Sequence, residues 1–154
     1  MGCAVGCAPR NGGGVFKSTD GGASFVSSCT GIAECGNGSS APFFTRVVPF
    51  AGDASGQTVF TASNTRVYRS TNYATSWSAV GSTGLPADIG IRNFGVSPTN
   101  ASHIGIAATA GRIFLSTNGG ASWTLAATPP DNGLSMSAVA YDPVLPTTIY
   151  IASV

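Results

Sequence analysis

Three carboxylates, Glu34, Asp88 and Asp131, stand in turn-rich stretches of this 154-residue chain. Two carboxyl groups held about 5 to 9.5 Å apart can cleave a glycosidic bond, one as acid and the other as nucleophile or base. Each of the three suits an ordinary role equally well, as a solvated loop charge or a turn former. The other groups that ligate metals or titrate near neutrality are one histidine, His103, and four cysteines, all within the first 35 residues.

Four cysteines allow three pairings. If 3–8 is extended, Cys3 and Cys7 lie about 13 Å apart on one face, too far to bond to each other. Cys29 with Cys35 is the simplest pair, clipping the loop S-C-T-G-I-A-E-C, and a disulfide there implies an exported protein. Free buried thiols are the next reading. A zinc site fits worst, because C-x3-C and C-x5-C are not the usual ligand spacings and no histidine is near. No cofactor or metal is expected. The sequons at Asn37 and Asn100 matter only in a eukaryotic secretory host.

The elements that must position these groups are read from repetition. S-T-D-G-G-A-S-F (18–25) recurs as S-T-N-Y-A-T-S-W (70–77) and S-T-N-G-G-A-S-W (116–123). Each copy follows a short strand-like run (G-V-F-K, R-V-Y-R, R-I-F-L) and precedes another (F-V-S-S-C, W-S-A-V, W-T-L-A-A). Further apolar runs lie upstream at 45–50, 58–63, 91–98 and 103–109, and the pattern restarts at 136–143 and 148–153. A unit of about 45 residues with four short strands has the size of one propeller blade. With 21 glycines and only 8 % charged residues, the composition favours turn-rich β structure over helices.

The octapeptides resemble the Asp-box (BNR) repeat, S-x-D-x-G-x-x-W. The matching positions are Ser18, Asp20, Gly22 and Phe25, then Ser116, Asn118, Gly120 and Trp123. The middle copy keeps Ser70, Asn72 and Trp77 but has Ala74 in the glycine place, which predicts a distorted turn. The resemblance implies an all-β chain of four-stranded antiparallel blades, about three in number and forming an incomplete propeller. The divisions are a partial blade at 1–30, full blades at 45–80 and 91–127, and a partial blade at 136–154. It implies that each box is a folding staple between strands three and four, its Asp or Asn accepting backbone N–H bonds. The terminal aromatic packs under the turn or against a neighbouring blade.

Closed propellers have at least four blades. The chain is therefore expected to be a piece of a longer propeller, or to associate with copies of itself through open edges. A further alternative is an open arc standing alone. Loops 8–14, 27–44, 63–66, 80–91, 109–112 and 126–136 should share one face, carrying Arg10, Glu34, Arg66, Asp88, Arg112 and Asp131. His103 falls on the box side, opposite the usual propeller active site.

Among families with this repeat, sialidases place an arginine in F/Y-R-I-P, and the nearest segment is T-R-V-V-P at 45–49, off by one. The phrase G-V-S-P-T-N…I-F-L-S-T-N-G-G-A-S-W is more similar to xyloglucanase propellers. It is equally similar to non-catalytic propellers of photosystem II assembly factors and exported bacterial proteins. The implied function is a non-catalytic scaffold binding a protein or glycan on the loop face. The alternative is part of a glycoside hydrolase whose active site needs further blades. Exposed aromatics such as Phe43, Phe44 or Tyr73 would serve glycan stacking or packing equally well.

The seven Lys and Arg residues are dispersed, against a nucleic-acid partner. No apolar run approaches the ~20 residues that span a bilayer, so no membrane insertion is expected. M-G-C-A-V-G is not a signal peptide; even so, the cysteines and the resemblance point to an extracellular or periplasmic bacterial protein.

Overall fold

The computed structural model describes residues 13–35, 43–126, 136–145 and 147–153. Cys3, Cys7, Arg10, Asn37 and Asp131 fall outside them. The described residues form only strands and turns, and no helix among them is long and apolar enough to cross a membrane.

Among the described residues, twelve strands run in chain order. A two-stranded unit, β1 (Phe16–Lys17) and β2 (Val26–Ser27), comes first. Next is a four-stranded meander of β3 (Phe44–Pro49), β4 (Val59–Ser63), β5 (Val67–Ser70) and β6 (Ser78–Ala79). A second meander holds β7 (Ile91–Val96), β8 (Ile104–Ala108), β9 (Ile113–Ser116) and β10 (Thr124–Leu125). A second two-stranded unit, β11 (Met136–Tyr141) and β12 (Ile149–Ser153), closes the order. All pairings between these strands are antiparallel, as short turns between consecutive strands require.

The meanders stack face to face, with β3 against β7 and β7 against β11. The sequence explains why. β8 reads I-G-I-A-A and is buried on every residue, as a central strand covered on both faces must be. The apolar core therefore lies between sheets. One cluster, with Val15, Ile32, Tyr68, Ala74 and Trp77, joins β1–β2 to the first meander. The largest joins the two meanders and holds Phe60, Ile91, Phe94, Ile104, Ile106, Phe114 and Trp123. A third, with Ile113, Met136 and Val139, joins the second meander to β11–β12. The two outer units leave Phe25 and Val26 exposed on one side, and Val144, Tyr150 and Ile151 on the other.

The three octapeptides share one hydrogen-bonded turn. In the third, Asn118 N and Gly120 N donate to Ser116 Oγ at 3.3 and 2.9 Å, and Ser122 N donates to Asn118 Oδ1 at 3.0 Å. In the first, Gly22 N donates to Ser18 Oγ at 2.8 Å and Ser24 N to Asp20 Oδ1 at 3.0 Å. The middle turn is not distorted, contrary to the sequence expectation. Ala74 N donates to Ser70 Oγ at 3.0 Å and Ser76 N to Asn72 Oδ1 at 2.9 Å, because Tyr73 and Ala74 adopt φ of 57° and 59°. The side-chain network is strong enough to hold two non-glycine residues where the sister turns have Gly-Gly.

That left-handed backbone costs an L-residue about 1–2 kcal/mol, of which glycine's extra chain entropy returns about half. Tyr73 is half-exposed with the Lys17 ammonium 5.9 Å from its ring centroid, a weak surface contact, so Tyr73→Gly is expected to raise stability by up to about 0.5 kcal/mol. Ala74→Gly is expected to be near neutral, since its buried methyl group packs in the Trp77 cluster. Thermal melts of both variants test the contrast; a loss of stability in Tyr73→Gly contradicts it.

Candidate functional site: the loop face and its inter-sheet cleft

The octapeptide turns lie on one side of the stack. Tyr73 N donates to Gln57 O at 3.0 Å and Gly119 N to Ser102 O at 2.9 Å, placing the turns beside the β3–β4 and β7–β8 connections. His103 begins this side of β8, its N–H bonded to Asn100 O. The opposite side gathers the other loops: Ile91 N donates to Asn64 O at 2.7 Å and Thr109 N to Gly90 O at 2.9 Å.

Asp20, Asn72 and Asn118 are engaged by backbone and serine donors within their own turns. Hydrogen bonds from Ser24 and Ser18 hold the Asp20 carboxyl down, from 3.8 to about 2. Its folded pKa lies below the unfolded one, so its contribution to stability is complete above pH ~4 and is lost as pH falls towards ~2. The asparagines of the other turns do not titrate. Amide exchange at Ser24 should therefore accelerate between pH 4 and 2, relative to the intrinsic rate, while Ser76 and Ser122 do not follow. Asp20→Asn should remove the difference; equal behaviour of all three amides would refute it.

The terminal tryptophans reach across to the preceding sheet. Trp77 donates Nε1–H to Ser28 O and its backbone N–H to Thr30 O, both at 2.8 Å. Trp123 repeats this with Gly81 O at 2.9 Å and Thr83 O at 2.8 Å. Gly31 and Gly84, at φ of 89° and 88°, lie directly under the tryptophan carbonyls. Thr-Gly-Ile at 30–32 and Thr-Gly-Leu at 83–85 thus form matching seats.

On the loop face, the two predicted carboxylates among the described residues, Glu34 and Asp88, have different partners. Glu34 accepts from Thr65 Oγ1 at 2.8 Å and from Tyr68 OH at 2.5 Å, so both its oxygens tie β1–β2 to the first meander. Tyr68 is 2 % exposed, and burial together with Glu34 pushes its hydroxyl well above the usual range. Asp88 pairs with Arg112, Nη1 to Oδ1 at 3.2 Å, and stays 77 % exposed. Cys29 and Cys35 are joined in a disulfide. Among the described residues no group of three or more His, Cys, Asp and Glu could hold a metal ion.

Between the meanders the loop face opens a cleft of about 470 Å³, lined by Phe43, Thr45, Asn64, Gly90, Ile91, Arg92 and Thr109. A shared irregularity shapes it. β3, β7 and β11 each break register near their start, between Phe44 and Arg46, Ile91 and Asn93, and Met136 and Ala138. The extra residues are Thr45, Arg92 and Ser137. A bulge re-aims the side chain it inserts, and here it puts Thr45 and Arg92 in the cleft wall. Phe43 is 82 % exposed at the rim, Arg92 has no carboxylate partner among the described residues, and Asn64 Oδ1 is buried without a hydrogen bond. Arg46, the arginine of T-R-V-V-P, lines a separate cavity of about 170 Å³ with Pro98, Tyr141 and Pro143.

Comparison with solved structures identifies this stacking of meanders. An ancestral GH74 enzyme matches over 94 % of this chain and 19 % of its own, at a TM-score of 0.65 and 21 % identity. The GH74 xyloglucanase from Xanthomonas campestris matches over 94 % and 24 %, at 0.67 and 18 %. Both are β-propellers. The chain folds as propeller blades. YCF48, solved bound to a D1 peptide, aligns with 55 % of the chain and 27 % of its own at a TM-score of 0.45 and 13 % identity. No family profile and no curated protein matches the chain. The chain spans about a fifth to a quarter of the length of the two GH74 enzymes. β3 and β7 are the first strands of their sheets, at one edge of each, and the cleft opens between them.

Proposed function

We propose that this chain is a non-catalytic propeller scaffold that binds a protein or glycan ligand on its loop face, at the cleft bounded by Phe43 and Arg92. The observation that carries the reading is the contrast in how that face uses its polar groups. Among the described residues, Glu34 is engaged by two inter-blade hydroxyls and Asp88 by an arginine, whereas the cleft offers an exposed aromatic ring, a guanidinium with no carboxylate partner and an amide oxygen with no hydrogen bond. Ring stacking plus a few placed polar groups is the composition of a binding site. The octapeptide turns are read as Asp-boxes with a folding role. Export is supported by the Cys29–Cys35 disulfide. The exposed apolar side chains of the two outer units are read as surfaces for further blades, of a longer chain or a second copy.

Titration against xyloglucan oligosaccharides, sialyl-lactose and a peptide panel tests the reading. A ligand that binds should lose at least about tenfold in affinity on Phe43→Ala or Arg92→Ala, which is ~1.4 kcal/mol. Ser122→Ala, on the opposite face, should leave affinity unchanged. Binding indifferent to both cleft substitutions would overturn the assignment.

A further inference from the structure

The two tryptophan seats are built alike but fastened differently. Residues 82–88 carry the Trp123 seat without a cysteine; the loop is restrained by Pro86 and by the Asp88–Arg112 pair. Residues 29–35 carry the Trp77 seat inside a loop closed by the Cys29–Cys35 disulfide. Among the described residues, most hydrogen bonds between β1–β2 and the first four-stranded blade issue from this loop or the residue before it; Lys17 Nζ, which donates to Tyr73 O at 2.7 Å, stands outside it. Ser28 O and Thr30 O receive Trp77, Ser28 Oγ donates to Ala74 O, and Glu34 receives Thr65 and Tyr68. Ile32 adds the buried apolar contact. Both cysteines are partly exposed, and their sulfurs lie beside Gly14.

We infer that the Cys29–Cys35 disulfide is a redox latch on this one joint: its reduction releases the Trp77 seat and leaves the Trp123 seat closed. In the step, a dithiol reductant attacks one sulfur. The S–S bond breaks, two electrons and two protons pass to Cys29 and Cys35 as thiols, and the reductant's sulfurs join in a disulfide. The opened loop recovers the chain freedom that closure had removed, and the seat's carbonyls lose their fixed aim at Trp77. Glu34 and the Tyr68 hydroxyl then become accessible on the loop face. Local opening confined to one unit of a repeat array is expected, because each blade contacts only its neighbours.

The test uses the full chain with Cys3→Ser and Cys7→Ser, treated or not with dithiothreitol, reduction being confirmed by mass. Hydrogen exchange of the Trp77 amide should accelerate at least about tenfold on reduction, while Trp123 stays within about twofold. A second protein, Cys29→Ser/Cys35→Ser with Cys3 and Cys7 retained, should exchange fast at Trp77 with or without reductant. Unchanged Trp77 protection after confirmed reduction overturns the latch, as does equal loss at both tryptophans. A reductant response at Trp77 that persists in the second protein also overturns it.

Discussion

Replacing Trp123 by alanine is expected to cost about 3–5 kcal/mol, a large share of the total stability of a domain this size. The indole is buried in the largest inter-blade cluster, which also holds Phe60, Ile91 and Phe114, and its removal leaves a cavity that two stacked sheets cannot close. Gly81 O loses its donor as well. Trp123→Phe isolates that second loss: the ring still packs, the carbonyl is orphaned, and the expected cost is about 1–2 kcal/mol. Trp77→Ala should cost less than Trp123→Ala, because the cluster around Trp77 is smaller and only β1–β2 depends on it. Denaturant melts of the three variants give the ranking. If Trp77→Ala were the more damaging, the size of the inter-blade cluster would not be what sets the cost.

The second large effect is expected from one methyl group. A Cβ on Gly84 would sit 2.1 Å from Trp123 O, and one on Gly31 would sit 2.0 Å from Trp77 O. The obstructing atoms are backbone, so the blades must separate to make room, and the positive φ adds its own penalty. Gly84→Ala should therefore cost about 3 kcal/mol. Gly119→Ala is the internal control. Its φ is 71° but nothing lies within 4 Å of the added carbon, so only the backbone term of about 1 kcal/mol applies. Similar costs at Gly84 and Gly119 would show that close approach at the seat is not what the glycine serves.

The fold was legible in the sequence because the octapeptide is local. The side chains of Ser116 and Asn118 bond within residues 116–122, so their spacing encodes the turn. The robustness of that turn was harder to read: Ala74 N donates to its turn serine as Gly22 N and Gly120 N do, at the expense of backbone strain, and a pattern scores it as a defect. The seats were also written in the sequence, as T-G-I and T-G-L at 30–32 and 83–85, but their meaning is long-range. Nothing local to Thr83 indicates that its carbonyl meets a tryptophan 40 residues later.

The site was less legible still. Glu34 and Asp88 were named on charge and loop placement, which are properties of single residues. Whether a carboxylate is free to act depends on its partners, and Thr65, Tyr68 and Arg112 come from other strands. Arg92 was missed because a bulge decides where it points. In a regular β7 the side chains would alternate from Ile91 without interruption, whereas the slipped register between Ile91 and Asn93 redirects the guanidinium into the cleft wall.

The most direct test of the scaffold reading is product release from xyloglucan oligosaccharides and sialyl-lactose, with Glu34→Gln and Asp88→Asn measured beside the unmodified chain. The account predicts no release above buffer from any of the three proteins. Release by the unmodified chain that either substitution abolishes would contradict it and make the loop face an active site.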